Sequence, residues 1–123
     1  MISLIPTFVR RYGQFYPNAD TQHDEQTHLV HAGAYKRIVK LLENTKGRIV
    51  TGGLDRVDES TNFVPITVVD EVKPDDVLME QCVSRLCWPP ASADHSCSEV
   101  FGPIFPVMVV DNIEEAVRYT QSR

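Results

Sequence analysis

Glu99-Val100-Phe101-Gly102-Pro103 leads into the apolar run Ile104-Phe105-Pro106-Val107-Met108-Val109-Val110. A carboxylate accepts hydrogen bonds from both hydroxyls of a ribose, and a ring two residues later can lie against a planar heterocycle. Binding-site chemistry is therefore present at the mouth of a core strand. On these five residues alone a plainer reading prevails, with Glu99 solvated and Phe101 in the core, because short motifs are weak evidence.

Two other groups of residues invite chemistry. His23, His28 and His31 lie in or near a polar stretch, yet neither their spacing nor the acidic neighbours Asp24 and Glu25 completes a metal site, and they are read as solvated. Cys82, Cys87 and Cys97 crowd one short tract, an odd number unlike a disulfide framework. With His95 they offer four soft ligands, but C-x₄-C and H-x-C are not the spacings of a zinc knuckle. No metal is assigned.

The elements that must position these residues follow from periodicity. Ile5, Phe8, Val9, Tyr12 and Tyr16 repeat at helical spacing and predict a helix over 3–16 with a buried aromatic face. Asn18 to Thr27 reads as loop. Tyr35, Ile38, Val39 and Leu42 mark a second helix, which stops near Asn44 with Gly47 as a left-handed cap. Arg48 to Thr51 is a short β-branched strand ended by Gly52-Gly53, a turn rather than a phosphate loop because no G-x-G-x-x-G follows. Charged loop occupies Leu54 to Thr61. Phe63 to Val72 predicts a strand that Pro65 confines to an edge, a start or a bulge, and Pro74-Asp75-Asp76 breaks it.

Near the C-terminus, Asn112 caps a helix whose Glu115 completes a capping box, with Ile113, Ala116, Val117 and Thr120 facing inward. The order of elements predicts an α/β layer in which one sheet face lacks cover. Arg123 follows no turn residue, as though the last helix had been cut.

The 123 residues make one domain at most, and a net charge of −5 provides no basic field for nucleic acid. At the N-terminus apolar residues precede Arg10-Arg11, the reverse of a secretory signal, and no apolar run approaches the roughly 18 residues of a membrane span. The expected compartment is cytoplasmic.

Read in order, Ile5-Pro6-Thr7-Phe8-Val9, Tyr35-Lys36-Arg37-Ile38, Leu41-Leu42, Gly52-Gly53, Phe63-Val64-Pro65-Ile66-Thr67-Val68-Val69, Leu78-Met79, Glu99-Val100-Phe101-Gly102-Pro103 and Glu114-Glu115-Ala116-Val117 form one succession. It resembles the aldehyde dehydrogenase superfamily in the stretch after the catalytic cysteine, most closely the class 3, or fatty aldehyde dehydrogenase, branch. The likeness covers residues 1–81 and 99–123. It implies a partial catalytic domain, with helices packed on a small, mostly parallel sheet, from an enzyme that oxidises aldehydes to carboxylic acids with NAD or NADP.

Glu99 matches the family's glutamate on the nicotinamide ribose, and Phe101 its phenylalanine beside the nicotinamide ring; the resemblance reverses the plainer reading of the opening stretch. The family's nucleophilic cysteine, general-base glutamate, Rossmann-type domain and Phe-Gly-Gly segment have no counterpart in these residues. The chain alone is therefore expected to bind no dinucleotide and to be inactive. Its expected partners are the aldehyde substrate of the family and a homo- or hetero-oligomer, with neither nucleic acid nor membrane.

Residues 82–98 interrupt the likeness. They have neither helix nor strand period, and the family framework resumes in register after them, so they read as a translated intron or an atypical inserted loop. The second functional reading is a catalytically dead remnant that serves as an interaction or oligomerisation module.

Overall fold

The computed structural model describes residues 4–81 and 102–122. In chain order these form α1 (Ile5–Phe15), α2 (Ala19–Glu25), α3 (Ala32–Asn44), β1 (Arg48–Thr51), β2 (Thr67–Asp70), α4 (Val77–Gln81), β3 (Ile104–Pro106) and α5 (Ile113–Gln121). The strands make one sheet in the order β1-β2-β3. β1 runs antiparallel to β2, with an irregularity between Ile49 and Thr51, and β3 runs parallel to β2, pairing Thr67 with Ile104. The expected α/β class holds; the sheet is mixed, one pairing of each kind, where a mostly parallel one is expected.

α3 carries the core. Its apolar side chains recur at helical spacing, so Tyr35, Ile38, Leu41 and Leu42 fall on one face and are buried against Val64, Val69, Val72, Leu78 and Ile104. Full burial of a side chain such as Ile38 contributes about 2 kcal/mol. Val39, expected on this stripe, is half-buried at its margin, and Leu41 is buried instead.

β2 is shorter than the predicted 63–72 strand because Pro65 lies before it and Glu71 adopts φ 57° just after it. Pro65 therefore acts at the entry of a central strand. All four residues of β2 are buried, and since alternate side chains face opposite sides, both faces of this strand are covered. Exposure lies instead on the flanking strands, at Ile49 and Phe105. The apolar 104–110 run is thus only partly core: Ile104 is buried, whereas Phe105 and Val109 are about half exposed.

Three further expectations are corrected. The predicted loop at 18–27 contains α2, because the Asn18 side chain accepts the Thr21 amide and starts a helix with little apolar periodicity. Gly47 is no left-handed cap: α3 ends at Thr45 in extended conformation, and a Cβ on Gly47 would collide with Val69 Cγ1. The stripes of α1 and α5 are not buried faces. Phe8, Tyr12 and Tyr16 are half-covered in a row of rings, with Phe8 5.7 Å from Phe105 and Tyr12 5.5 Å from Tyr16. On α5, Ile113 is 82% and Val117 48% exposed, and Thr120 is exposed too. The cap of α5 is as expected, with Asn112 accepting the Glu115 amide.

α4 is not predicted. Asp76 makes it: its carboxylate accepts the Leu78 amide at 2.9 Å. The same carboxylate takes the Thr45 hydroxyl and the Lys46 amide, tying the end of α3 to the start of α4.

Candidate functional site

Glu99 and Phe101, the sequence-predicted cofactor-binding pair, lie outside the described residues. What the structure defines is the chain immediately after them. Pro103 accepts the Thr67 amide at 2.7 Å, and the Val107 amide donates to Val69 at 2.8 Å, so the segment is clamped along β2 at both ends of β3. Gly102 presses on α3, where a Cβ would come within 2.6 Å of Ile38 Cδ1. Any side chain at that position has to displace a residue of the core centre. The Gly-Pro turn is therefore a close approach of backbone to helix.

Gly102, Pro103 and Phe105 form one wall of an open cleft of about 980 Å³. The opposite wall is the segment 25–31 together with the first turns of α3, including Arg37. Gln26 holds that wall: its Nε2 donates to the Val64 carbonyl at 2.5 Å, and its Oε1 accepts the Ile66 amide at 3.0 Å, as a neighbouring strand would. Gln22, which is 1% exposed, donates to the same Oε1 at 2.9 Å. A buried amide with its partners met stabilises the site, and one left unmet costs about 1–3 kcal/mol. The polar Asn18–Thr27 stretch thus contributes two positioning residues that sequence reasoning missed. The available signal was the i, i+4 spacing of Gln22 and Gln26 after a capping Asn.

Gly52 and Gly53 adopt φ 74° and 94°, values that favour glycine. The Gly53 amide is engaged by Thr67 Oγ1 at 3.0 Å, and that hydroxyl donates to the Pro65 carbonyl at 2.9 Å. This pair is a turn locked onto the start of β2, and the Gly53 amide faces Thr67 rather than a phosphate.

Of His23, His28 and His31, the last is solvent-exposed as expected, whereas the other two are not. His31 is exposed but its Nδ1 accepts the Ala34 amide at 3.0 Å and caps α3. His23 and His28 are half-buried against the Phe63 ring, with centroids 4.7 and 5.2 Å away. His28 Nδ1 lies 3.0 Å from the Thr61 carbonyl oxygen and its Nε2 2.8 Å from that of His23. Beside them Asp58 is held as a carboxylate, its pKa lowered to about 2 by the Ser60 hydroxyl and amide and by the Thr61 hydroxyl. Among the described residues no three metal-ligating side chains converge. Cys82, Cys87, His95 and Cys97 lie outside them.

No protein-family model matches the chain. It is 33% identical over 103 residues to beta-apo-4'-carotenal oxygenase of Gibberella fujikuroi, covering 84% of this chain and 16% of that protein. It is 28% identical over 110 residues to aldehyde dehydrogenase family 3 member A2 of Pongo abelii, covering 89% and 18%. Among solved structures, Staphylococcus aureus AldH in a substrate-bound state superposes with a TM-score of 0.76 at 25% identity, over 98% of this chain and 22% of that one. The chain thus spans about a fifth of the length of these three proteins.

Proposed function

We propose that this chain, which belongs to the aldehyde dehydrogenase superfamily, serves the oxidation of aldehydes to carboxylic acids with NAD or NADP by supplying the ribose and nicotinamide contacts of the cofactor site. The observation that supports this reading is the anchoring of Gly102-Pro103, the residues next in sequence after Phe101, on Ile38 and Thr67. In this reading the Glu99 carboxylate accepts the two ribose hydroxyls and the Phe101 ring lies beside the nicotinamide.

The cofactor, when bound, accepts the hydride. In this reading Glu99 and Phe101 serve one end of it only. Among the described residues no glycine-rich strand-to-helix turn aims its amides at a pyrophosphate, and Gly53 is already engaged. We assign no catalytic residue to these 123 residues. They are read as part of one catalytic domain, cytoplasmic, with 82–98 as an atypical insertion; among the described residues no helix is long and apolar enough to cross a membrane.

The test is aldehyde-dependent NADH or NADPH formation by the purified chain. No turnover is expected, and clear turnover would overturn the assignment of the nucleophile and general base to other segments. Sequencing the mature transcript checks the insertion: a message lacking the codons for 82–98 is expected, and one that retains them all contradicts a translated intron.

One observation favours a second reading, a catalytically dead interaction module. α1 and α5 bury no residue, while Leu4, Phe15 and Ile113 are 76%, 71% and 82% exposed, apolar side chains that a partner could cover. Light scattering, and co-purification with a full-length homologue, separate the readings. A monomer that captures no homologue would remove the second.

A further inference from the structure

We propose that the cleft of about 560 Å³ formed by the 71–74 turn, the 108–110 segment and α5 binds a small apolar monocarboxylate. It shares no lining residue with the cleft at Gly102 and Pro103, so the inference stands apart from the proposed function. Its volume is that of a small-molecule site.

Backbone contacts hold all three walls. Glu71 turns the chain out of β2 at φ 57°, and its amide donates to Asp70 Oδ1 at 2.8 Å. The next residue returns to the sheet, the Val72 amide donating to the Val107 carbonyl at 3.1 Å. The turn is thereby tied to the segment after β3, and Val72, Pro74, Met108 and Val110 give the cleft an apolar lining. α5 makes the third wall. Its start is secured by Asn112, which accepts the Glu115 amide, and by Glu115 Oε2, which accepts the Asp111 amide at 2.8 Å.

The side that α5 presents to this lining is its polar one. Glu115, Arg118, Tyr119 and Ser122 share one face of a helix and line the cleft, while Ile113 and Val117 are exposed. Polar groups therefore stand over an apolar surface, the pattern of a site for a molecule with a hydrocarbon body and a polar head.

The charges select the head. Glu71, Lys73, Glu115 and Arg118 all line the cleft. Both acids are engaged, Glu71 Oε1 with Arg48 Nε at 3.4 Å and Glu115 Oε2 with the Asp111 amide. Among the described residues no carboxylate lies within ion-pair distance of Lys73 or Arg118. These two cations are available to an anion, and the guanidinium fork of Arg118 matches the two oxygens of a carboxylate. Because both acids stay nearby, the cationic field is weak and favours a single negative charge over a phosphate dianion.

The test is titration of the full chain with octanoate below micelle formation, read by calorimetry and by ¹⁵N–¹H amide shifts. Octanoate is expected to bind at least about tenfold more tightly than acetate, since each methylene taken from water strengthens binding by up to about fourfold. It is expected to bind about tenfold more tightly than octanol, which lacks the charge. Amide shifts are expected at Val72, Val110 and Tyr119. Raising salt from about 0.05 M to about 0.5 M should weaken octanoate and spare octanol. Lys73→Gln combined with Arg118→Gln, both at exposed positions, is expected to weaken octanoate about tenfold and leave the circular-dichroism spectrum unchanged. Absence of octanoate binding, equal binding of octanol, inorganic phosphate bound as tightly as octanoate, or shifts centred on Gly102 would each overturn the inference. If the double variant does not fold, the comparison of octanoate with octanol in the native chain decides.

Discussion

At the scale of single residues, Gly102 joins the candidate site to the core. Its α-carbon faces Ile38, a side chain with 0% exposure on α3, so an added methyl would come within 2.6 Å of Ile38 Cδ1. Gly102→Ala is expected to destabilise the chain by about 1–3 kcal/mol through overpacking. Ile38→Val removes the Cδ1 atom that the new methyl meets, so the double variant should be less destabilised than the sum of the single changes. Chemical denaturation of the four proteins measures the coupling; strict additivity would show that Gly102 and Ile38 do not constrain each other. Neither partner's importance is visible in the sequence, where Gly102 reads as half of a Gly-Pro turn and Ile38 as one of several stripe residues.

Among the elements, α3 and α4 owe their junction to one buried acid. Asp76 is 3% exposed, and burial by itself pushes its carboxyl up. The Leu78 and Lys46 amides, the Thr45 hydroxyl and the Gly47 amide outweigh burial, so its pKa is lowered. A carboxyl lowered in the fold stabilises fully above its unfolded value of about 4 and loses that contribution as pH falls through the folded value. Asp76→Asn should therefore cost about 1–3 kcal/mol near neutral pH. The gap between native and variant proteins should narrow only below about pH 4, which acid unfolding followed by circular dichroism can check. A gap that stays constant down to about pH 2 would place the effect in packing rather than charge.

Across the whole molecule, the buried residues concentrate around α3, β2, α4 and the start of β3, while α1 and α5 lie on the outside with half-covered or exposed apolar stripes. Phe15 belongs to this outer surface at 71% exposure, so Phe15→Ser is expected to shift unfolding by no more than about 0.5 kcal/mol. If α1 docks on a partner, the same change should weaken association with a full-length homologue in light scattering. Unchanged association would remove α1 from the docking face.

Local pattern alone determined α1, α3, β1 and the capped α5, because the spacing of apolar side chains and the Asn112 cap act within a few residues. The succession of short motifs also carried the superfamily, since the order of Gly52-Gly53, the β2 segment and the Gly102-Pro103 turn survives in one dimension. Tertiary structure decided which stripes are buried, because the periodicity of α1, α3 and α5 looks alike in sequence and only α3 among them has fully buried side chains. It also decided the roles of Gln26, His28 and Asp76, whose partners at Val64, Thr61 and Thr45 lie some thirty or more positions away and are brought within hydrogen-bond reach only by folding.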